Sequence, residues 1–199
     1  MPSCIISFYN LFKGKIKYTI SKWNFKRKIK SKGGKCGKCL CLSHPECVQF
    51  EKLFIKSGFR IECFKEYAGV ELPQTLLSFS NNVIIEYNFT ALVADTITIG
   101  SNTIIASNVA LVSENHGIEV ESDIPYYAQK LCTGPIAIGE GCWIGQNVTI
   151  LPGVTIGDKC IIGSNSVVTK DIPSFSIAAG MPARVIKTYS FELHRWVKA

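Results

Sequence analysis

The sequence predicts an all-β solenoid, a parallel β-helix, and three regularities predict it. Ile138, Ile144, Ile150, Ile156, Ile162 and Val168 recur at six-residue spacing. Gly139, Gly145, Gly157 and Gly163 directly follow four of them. A second, mostly smaller series, Ile136, Cys142, Val148, Val154, Cys160 and Ser166, stands two positions ahead of the first. A helix would carry residues six apart to different faces, and simple alternating strands have no need of a glycine at every sixth position. A repeating hexad is the mark of a parallel β-helix, with one short strand and one turn per hexad. Three hexads make a triangular coil, stacking Ile138 over Ile156, Ile144 over Ile162 and Ile150 over Val168. In the turns, glycine is expected to supply backbone angles closed to other residues.

Taken in order, the chain begins with a basic arm, residues 1–47. Eleven Lys and Arg residues lie between Lys13 and Lys38, ahead of the first acidic residue, Glu46. The net charge of +7 therefore belongs to this arm. Ile5, Phe8, Tyr9, Leu11, Phe12, Ile16, Ile20, Trp23 and Phe25 are interleaved with those charges. The mixture suits an amphipathic helix of residues 1–32 on an anionic membrane surface, or equally an arm packed on the end of the coil. No nucleic-acid-binding motif accompanies the charge, so nucleic acid is not an expected partner. The charges follow a short, interrupted apolar run instead of preceding a continuous one, which is unlike a signal peptide. No stretch approaches the ~20 apolar residues that span a bilayer. A cytoplasmic protein is expected, with the arm able to touch the inner face of the membrane.

The nine cysteines are an odd number and are read as reduced thiols. Cys36 and Cys39 have the spacing of metal ligands, with Cys41, His44 and Cys47 close behind. A structural zinc site usually pairs two ligand knuckles, and the second is missing here. Alternating residues such as Cys39 and Cys41 could equally face inward on the first irregular coils. No metal is expected to be required.

The coil domain is expected over residues 48–187. Residues 48–72 are loosely patterned, with an excursion around Glu66–Thr75. The hexad count becomes clear at Tyr87, Val93, Ile99, Ile105 and Leu111, preceded by Ile85, Ala91, Ile97, Thr103 and Val109. Leu111 and Ile138 are twenty-seven residues apart, which is not a multiple of six. Residues 112–135 should therefore leave the coil as a loop, and that loop carries His116. Functional groups collect on loops held by rigid scaffolds. Pro173 and Pro182 bound a turn that closes the last coil, and the tail, residues 188–199, with Phe191, Leu193 and Trp196, is expected to form a short helix.

Asn115-His116-Gly117 at the start of the loop, Trp143-Ile144-Gly145, Leu151-Pro152-Gly153-Val154 and the run Ala178 to Arg184 complete the pattern. With the hexads, they resemble the left-handed β-helix hexapeptide acyltransferases, closest to the branch that O-acetylates sugars and surface polysaccharides. The resemblance implies a left-handed coil and a homotrimer with active sites between subunits. It implies an O-acetyltransferase that takes acetyl-CoA as donor and a glycan or sugar hydroxyl as acceptor.

By the same resemblance, His116 is the general base, and an imidazole titrates in the right range for that task. Glu114 or a backbone carbonyl would fix its tautomer. Gln146, Ser164, Thr169, Lys170, Arg184 and Lys187 fall in the family's cofactor groove. The cations suit phosphates, and Ser164 and Thr169 suit the pantetheine arm. Asn88 and Asn115 are candidate acceptor contacts, and Trp143 either walls the pocket or packs between subunits. The family's acidic N-terminal sugar-binding segment has no counterpart here, which favours a glycan precursor or lipid-linked acceptor over a free sugar. A nucleotide-sugar N-acetyltransferase and a noncatalytic scaffold are the alternatives. The related γ-class carbonic anhydrases need three histidine ligands, and His44 and His194 fall outside the coil region.

Overall fold

A computed structural model describes Thr19 and residues 21–199 of the chain. The expectations for Cys4 and for the apolar residues Ile5 to Ile16 and Ile20 lie outside the described residues. From Lys35 onward the chain winds through three parallel sheets, one strand of each per coil. Face one stacks Lys35–Cys36, Leu53–Ile55, Val83–Ile85, Ile104–Ile105, Trp143–Ile144, Ile161–Ile162 and Ser176–Gly180. Face two stacks Cys39–Leu42, Phe59–Cys63, Thr90–Val93, Ala110–Val112, Thr149–Ile150 and Val167–Val168. Face three stacks Val48–Phe50, Leu76–Phe79, Thr96–Ile99, Ile136–Ile138 and Thr155–Ile156. Coil strands thus begin at Lys35, ahead of the position-48 boundary read from the sequence.

The core is a set of columns. Ile55, Ile85, Ile105, Ile144 and Ile162 stack on face one, and Ile61, Ala91, Leu111, Ile150 and Val168 on face two. Phe50, Phe79, Ile99, Ile138 and Ile156 stack on face three. All fifteen are buried. The expected pairs Ile138/Ile156, Ile144/Ile162 and Ile150/Val168 are partners in register. A parallel sheet repeats the same side chain above itself, and each buried Ile contributes about 1.5–3 kcal/mol.

The count slips in one coil. Ile85 pairs with Ile105 twenty residues on, whereas Ile138 pairs with Ile156 after eighteen. The two extra residues are Ala94 and Asp95, whose backbone N–H groups both donate to Ser113 Oγ. Tyr87, counted from the sequence as inward, is consequently 49% exposed, and Ile85 fills the column.

The hexad glycines also have a different reason from the one expected. Gly100, Gly139, Gly145, Gly157 and Gly163 do not have positive φ; the left-handed corner positions are Gly58, Asn88, Asn108, Asn147 and Asn165 between faces one and two, and Asn82, Asn102, Gly141, Lys159 and Phe175 between faces three and one. A Cβ on Gly145 would lie 2.6 Å from Ile162 O, and one on Gly139 would lie 2.7 Å from Gly157 C. Glycine is needed because successive coils touch backbone to backbone there. Asparagine takes the left-handed corner, which it tolerates better than most residues. Its side chains form a ladder: Asn88 Nδ2 donates to Asn108 Oδ1 at 3.0 Å, Asn108 to Asn147 at 2.9 Å, and Asn147 to Asn165 at 2.9 Å.

Both ends are closed. At the first coil a helix over residues 21–31 lays Phe25 and Ile29, one turn apart, against the core, with Phe25 edge-on to Phe50 at 5.4 Å. At the other end the expected tail helix is replaced by strands. Ser176–Gly180 pairs antiparallel with Ala183–Ser190, which pairs with Arg195–Lys198. The tail is rich in β-branched and aromatic residues, and Tyr189 packs edge-on against both Phe191 (5.2 Å) and Trp196 (5.4 Å). No helix among the described residues is long and apolar enough to cross a membrane.

Candidate active site

Each insertion into the coil falls on one edge, where the chain passes from face two to face three. The Pro45–Cys47 turn lies there, then the Glu66–Tyr67 and Val70–Glu71 hairpin, then Ala94–Asp95, then the excursion carrying His116. They stack one coil above another, so groups distant in sequence meet along this edge.

The hairpin turns through Ala68 and Gly69, both at positive φ, the geometry of a two-residue hairpin loop. Its base is closed by Leu72 N–H donating to Lys65 O at 2.7 Å and by the buried Thr75 hydroxyl donating to Phe64 O at 2.5 Å. The larger excursion is closed by antiparallel pairing of Glu114–Asn115 with Cys132–Thr133. Its interior is organised by Gln129, which is 5% exposed. The Gln129 amide donates to Glu119 O at 3.0 Å and Ile124 O at 2.8 Å, and its Oε1 accepts from Glu119 N at 3.0 Å. Gly117 is required here, because a Cβ would stand 2.6 Å from Gln129 Cβ and 2.9 Å from Lys130 O.

His116 thus projects from a braced strand end, with an exposed imidazole. The two insertions touch at this ring: Tyr67 Oη is 3.2 Å from His116 Nδ1, the ring centroids are 5.7 Å apart, and the Tyr67 hydroxyl donates to Tyr127 O. Glu114 lies in the strand pair at the base of the excursion. Tyr67 was not among the sequence candidates. The one signal that could have found it was an aromatic residue within a predicted polar excursion. Beside His116 is a cavity of about 400 Å³, whose lining includes Ala68 from the hairpin and Gly117, Ile118, Ile124, Leu131 and Cys132 from the excursion.

The other candidates divide between edges. Asn115 is exposed next to His116, opposite Cys132. Thr169 and Lys170 are exposed on the same edge as His116, after the last strand of face two. Gln146 and Ser164 lie on the edge between faces one and two, where Gln146 N–H donates to Ser164 Oγ at 3.2 Å. Arg184 and Lys187 are exposed on the terminal hairpin, Arg184 paired with Ala179, and a Cβ on Gly163 would meet Ala179 Cβ. Asn88 belongs to the asparagine ladder on the edge between faces one and two, away from the His116 edge. Trp143 stands outward on face one between Ile104 and Ile161, 55% exposed.

The cysteine cluster does not assemble as a metal site. Cys36 and Cys39 pack against the core, Cys47 is buried within it, and Cys41 Sγ donates to Glu62 Oε1. Burial pushes the Cys36 and Cys39 thiols up to about 11, away from the thiolate that binds metal. No group of three or more His, Cys, Asp or Glu side chains among the described residues could hold a metal ion.

A three-faced parallel β-helix with a histidine excursion on one edge is the architecture of a hexapeptide-repeat acyltransferase. Residues 135–170 match the family described as bacterial transferase hexapeptide, six repeats. A protein of Escherichia coli K12 named as a putative lipopolysaccharide biosynthesis O-acetyl transferase is 38% identical over 147 residues, covering 69% of this chain and 75% of that protein. The galactoside O-acetyltransferase of the same strain is 42% identical over 151 residues, covering 73% and 71%. A hexapeptide-repeat acetyltransferase from Vibrio cholerae O1 biovar eltor, solved with acetyl coenzyme A, superposes with a TM-score of 0.54 at 25% identity over 79% of this chain and 72% of that one. The chain belongs to the left-handed β-helix hexapeptide acyltransferases, in the sugar O-acetyltransferase branch.

Proposed function

We propose that the protein transfers an acetyl group from acetyl-CoA to a sugar hydroxyl of a surface polysaccharide or glycan precursor, with His116 as general base. The observation that carries this reading is the exposed His116 ring, held at one nitrogen by Tyr67 on the edge where the insertions gather. The ring takes the hydroxyl proton as the oxygen attacks the thioester carbon. The tetrahedral intermediate collapses with loss of CoA thiolate, which recovers the proton from the imidazolium. Gln146, Ser164, Thr169, Lys170, Arg184 and Lys187 would hold CoA, the cations at its phosphates. Asn115, Asn88 and Trp143 are proposed on the acceptor side.

The CoA candidates fall on more than one edge of the coil, as they would if each site drew on two copies in a homotrimer. Face one supports an interface: Phe54, Ile84, Ile104, Trp143, Ile161 and Ile177 form an outward apolar column along it. The corresponding column on face three is Gln49, Ser78, Thr98, Ala137 and Thr155. The basic arm would meet an anionic membrane surface, since its described helix exposes Trp23, Arg27, Lys28 and Lys30.

The test is CoA release from acetyl-CoA against a panel of glycans and nucleotide-amino-sugars, with His116→Ala alongside. Hydroxyl-dependent release that falls roughly 10²–10⁴-fold in the variant supports the mechanism. Full activity in His116→Ala would refute it, and release only with amine acceptors would transfer the reading to N-acetylation.

A further inference from the structure

We infer that Tyr67 is the positioning residue that fixes His116 in its Nδ1–H tautomer and so presents Nε2 as the base; this rests on the role proposed above for His116. A phenol has one hydrogen to donate. In Tyr67 that hydrogen is directed at the carbonyl oxygen of Tyr127, so the oxygen facing His116 Nδ1 at 3.2 Å has only lone pairs to offer. A neutral imidazole carries one N–H, and the contact with Tyr67 is made only if that N–H is at Nδ1. The lone pair is then on Nε2, at the far side of the ring. When Nε2 takes a proton, the Nδ1–H to phenol bond persists and becomes charge-assisted.

The arrangement also fixes the ring's direction. Tyr67 is forty-nine residues from His116 and reaches it from a separate hairpin. That hairpin is clamped at its base by Thr75, and the Tyr127 carbonyl belongs to the same excursion as His116. Three points on two insertions therefore determine one imidazole.

The experiment uses the full chain and Tyr67→Phe, which keeps the aromatic ring and removes only the hydroxyl. Ring-nitrogen NMR of ¹⁵N-histidine-labelled protein above neutral pH reads the tautomer directly. His116→Gln identifies the His116 signals among the three histidines. The expected result is a protonated Nδ1 and an unprotonated Nε2 on His116 in the unaltered protein, lost in Tyr67→Phe. In the acetyl-transfer assay the same substitution is expected to lower kcat roughly two- to tenfold, the worth of one hydrogen bond, with the KM for acetyl-CoA unchanged. A protonated Nε2 in the unaltered protein, a tautomer indifferent to Tyr67→Phe, or an unchanged kcat in that variant would each overturn the inference. The NMR result does not depend on turnover. Full activity in His116→Ala would sink the general-base reading while leaving the nitrogen assignment standing, so the two failures are distinguishable.

Discussion

Gly145→Ala and Gly153→Ala separate two reasons for a glycine in this coil. Gly145 does not have positive φ, and an added Cβ would lie 2.6 Å from Ile162 O and 2.7 Å from Ser164 N. Ordinary contact begins near 3.4 Å, and both obstructing atoms are backbone, so no side chain can swing aside. Relief requires parting two coils at the Gly145 N–H bond to Ile162 O, which is 2.8 Å long. Overpacking costs about 1–3 kcal/mol and a stretched hydrogen bond about 1 kcal/mol more, so roughly 3 kcal/mol is expected. Gly153 is the opposite case, with φ of +79° and nothing within 4 Å of an added Cβ. There the left-handed penalty of about 1–2 kcal/mol is partly offset by the lower entropy of the unfolded Ala chain, leaving ~1 kcal/mol or less.

Equilibrium urea unfolding distinguishes them. With a slope of about 2 kcal/mol per molar, the midpoint should fall by ~1.5 M for Gly145→Ala and by less than ~0.5 M for Gly153→Ala. If Gly145→Ala proved no more damaging than Gly153→Ala, coil-to-coil contact would not be the reason for a glycine at position 145.

Two further outcomes follow from burial. Cys36 and Cys39 hold their protons up to about 11, against an ordinary 9.0, so the stability from keeping these thiols neutral is complete below pH 9 and lost as pH rises towards 11. Melting temperature should drop over that interval, and less so in a Cys36→Ala, Cys39→Ala variant; an identical drop in both would count against the thiols as the cause. Gln129→Ala removes three hydrogen bonds inside the excursion and none from the coil. Amide exchange should therefore accelerate at least tenfold around Glu119 to Ile124, a loss of more than about 1.4 kcal/mol of local protection, while Ile144 and Ile162 stay as slow as before. Acceleration in the coil would mean that the excursion is not the separate unit its hydrogen bonds describe.

The columns were legible in the sequence because a parallel coil repeats each inward side chain over itself, and Ile138, Ile144 and Ile150 meet their partners after three hexads. Where the coil lengthens by Ala94 and Asp95, a rigid count of six put Tyr87 inside. The coil was expected to begin only at position 48 because the first coil places Cys36 and Cys39 opposite Ile55 and Phe59, where a count of aliphatic hexads does not register them. The tail was misread because three apolar residues in a short segment fit a helix or a strand, and only the pairing of Arg195–Lys198 with Ala183–Ser190 decides it. His116 was visible as a break in the count. Tyr67 was not, since its contact exists only once the hairpin and the excursion are known to share an edge.

That sharing has a physical basis. Between faces one and two, Asn88, Asn108, Asn147 and Asn165 link coil to coil in an unbroken ladder, and between faces three and one the left-handed corners again stack, with Asn82 donating to Asn102. An insertion at either edge would remove a rung and leave amide groups unpaired with their neighbours. Between faces two and three the described residues form no asparagine ladder, so extra residues can depart and return without breaking a coil-to-coil series. The hairpin and the His116 excursion both leave at this edge, and each is closed by its own antiparallel pair. The regular edges hold the columns in register, and the irregular edge is the one where Tyr67 and His116, remote in sequence, can be set side by side.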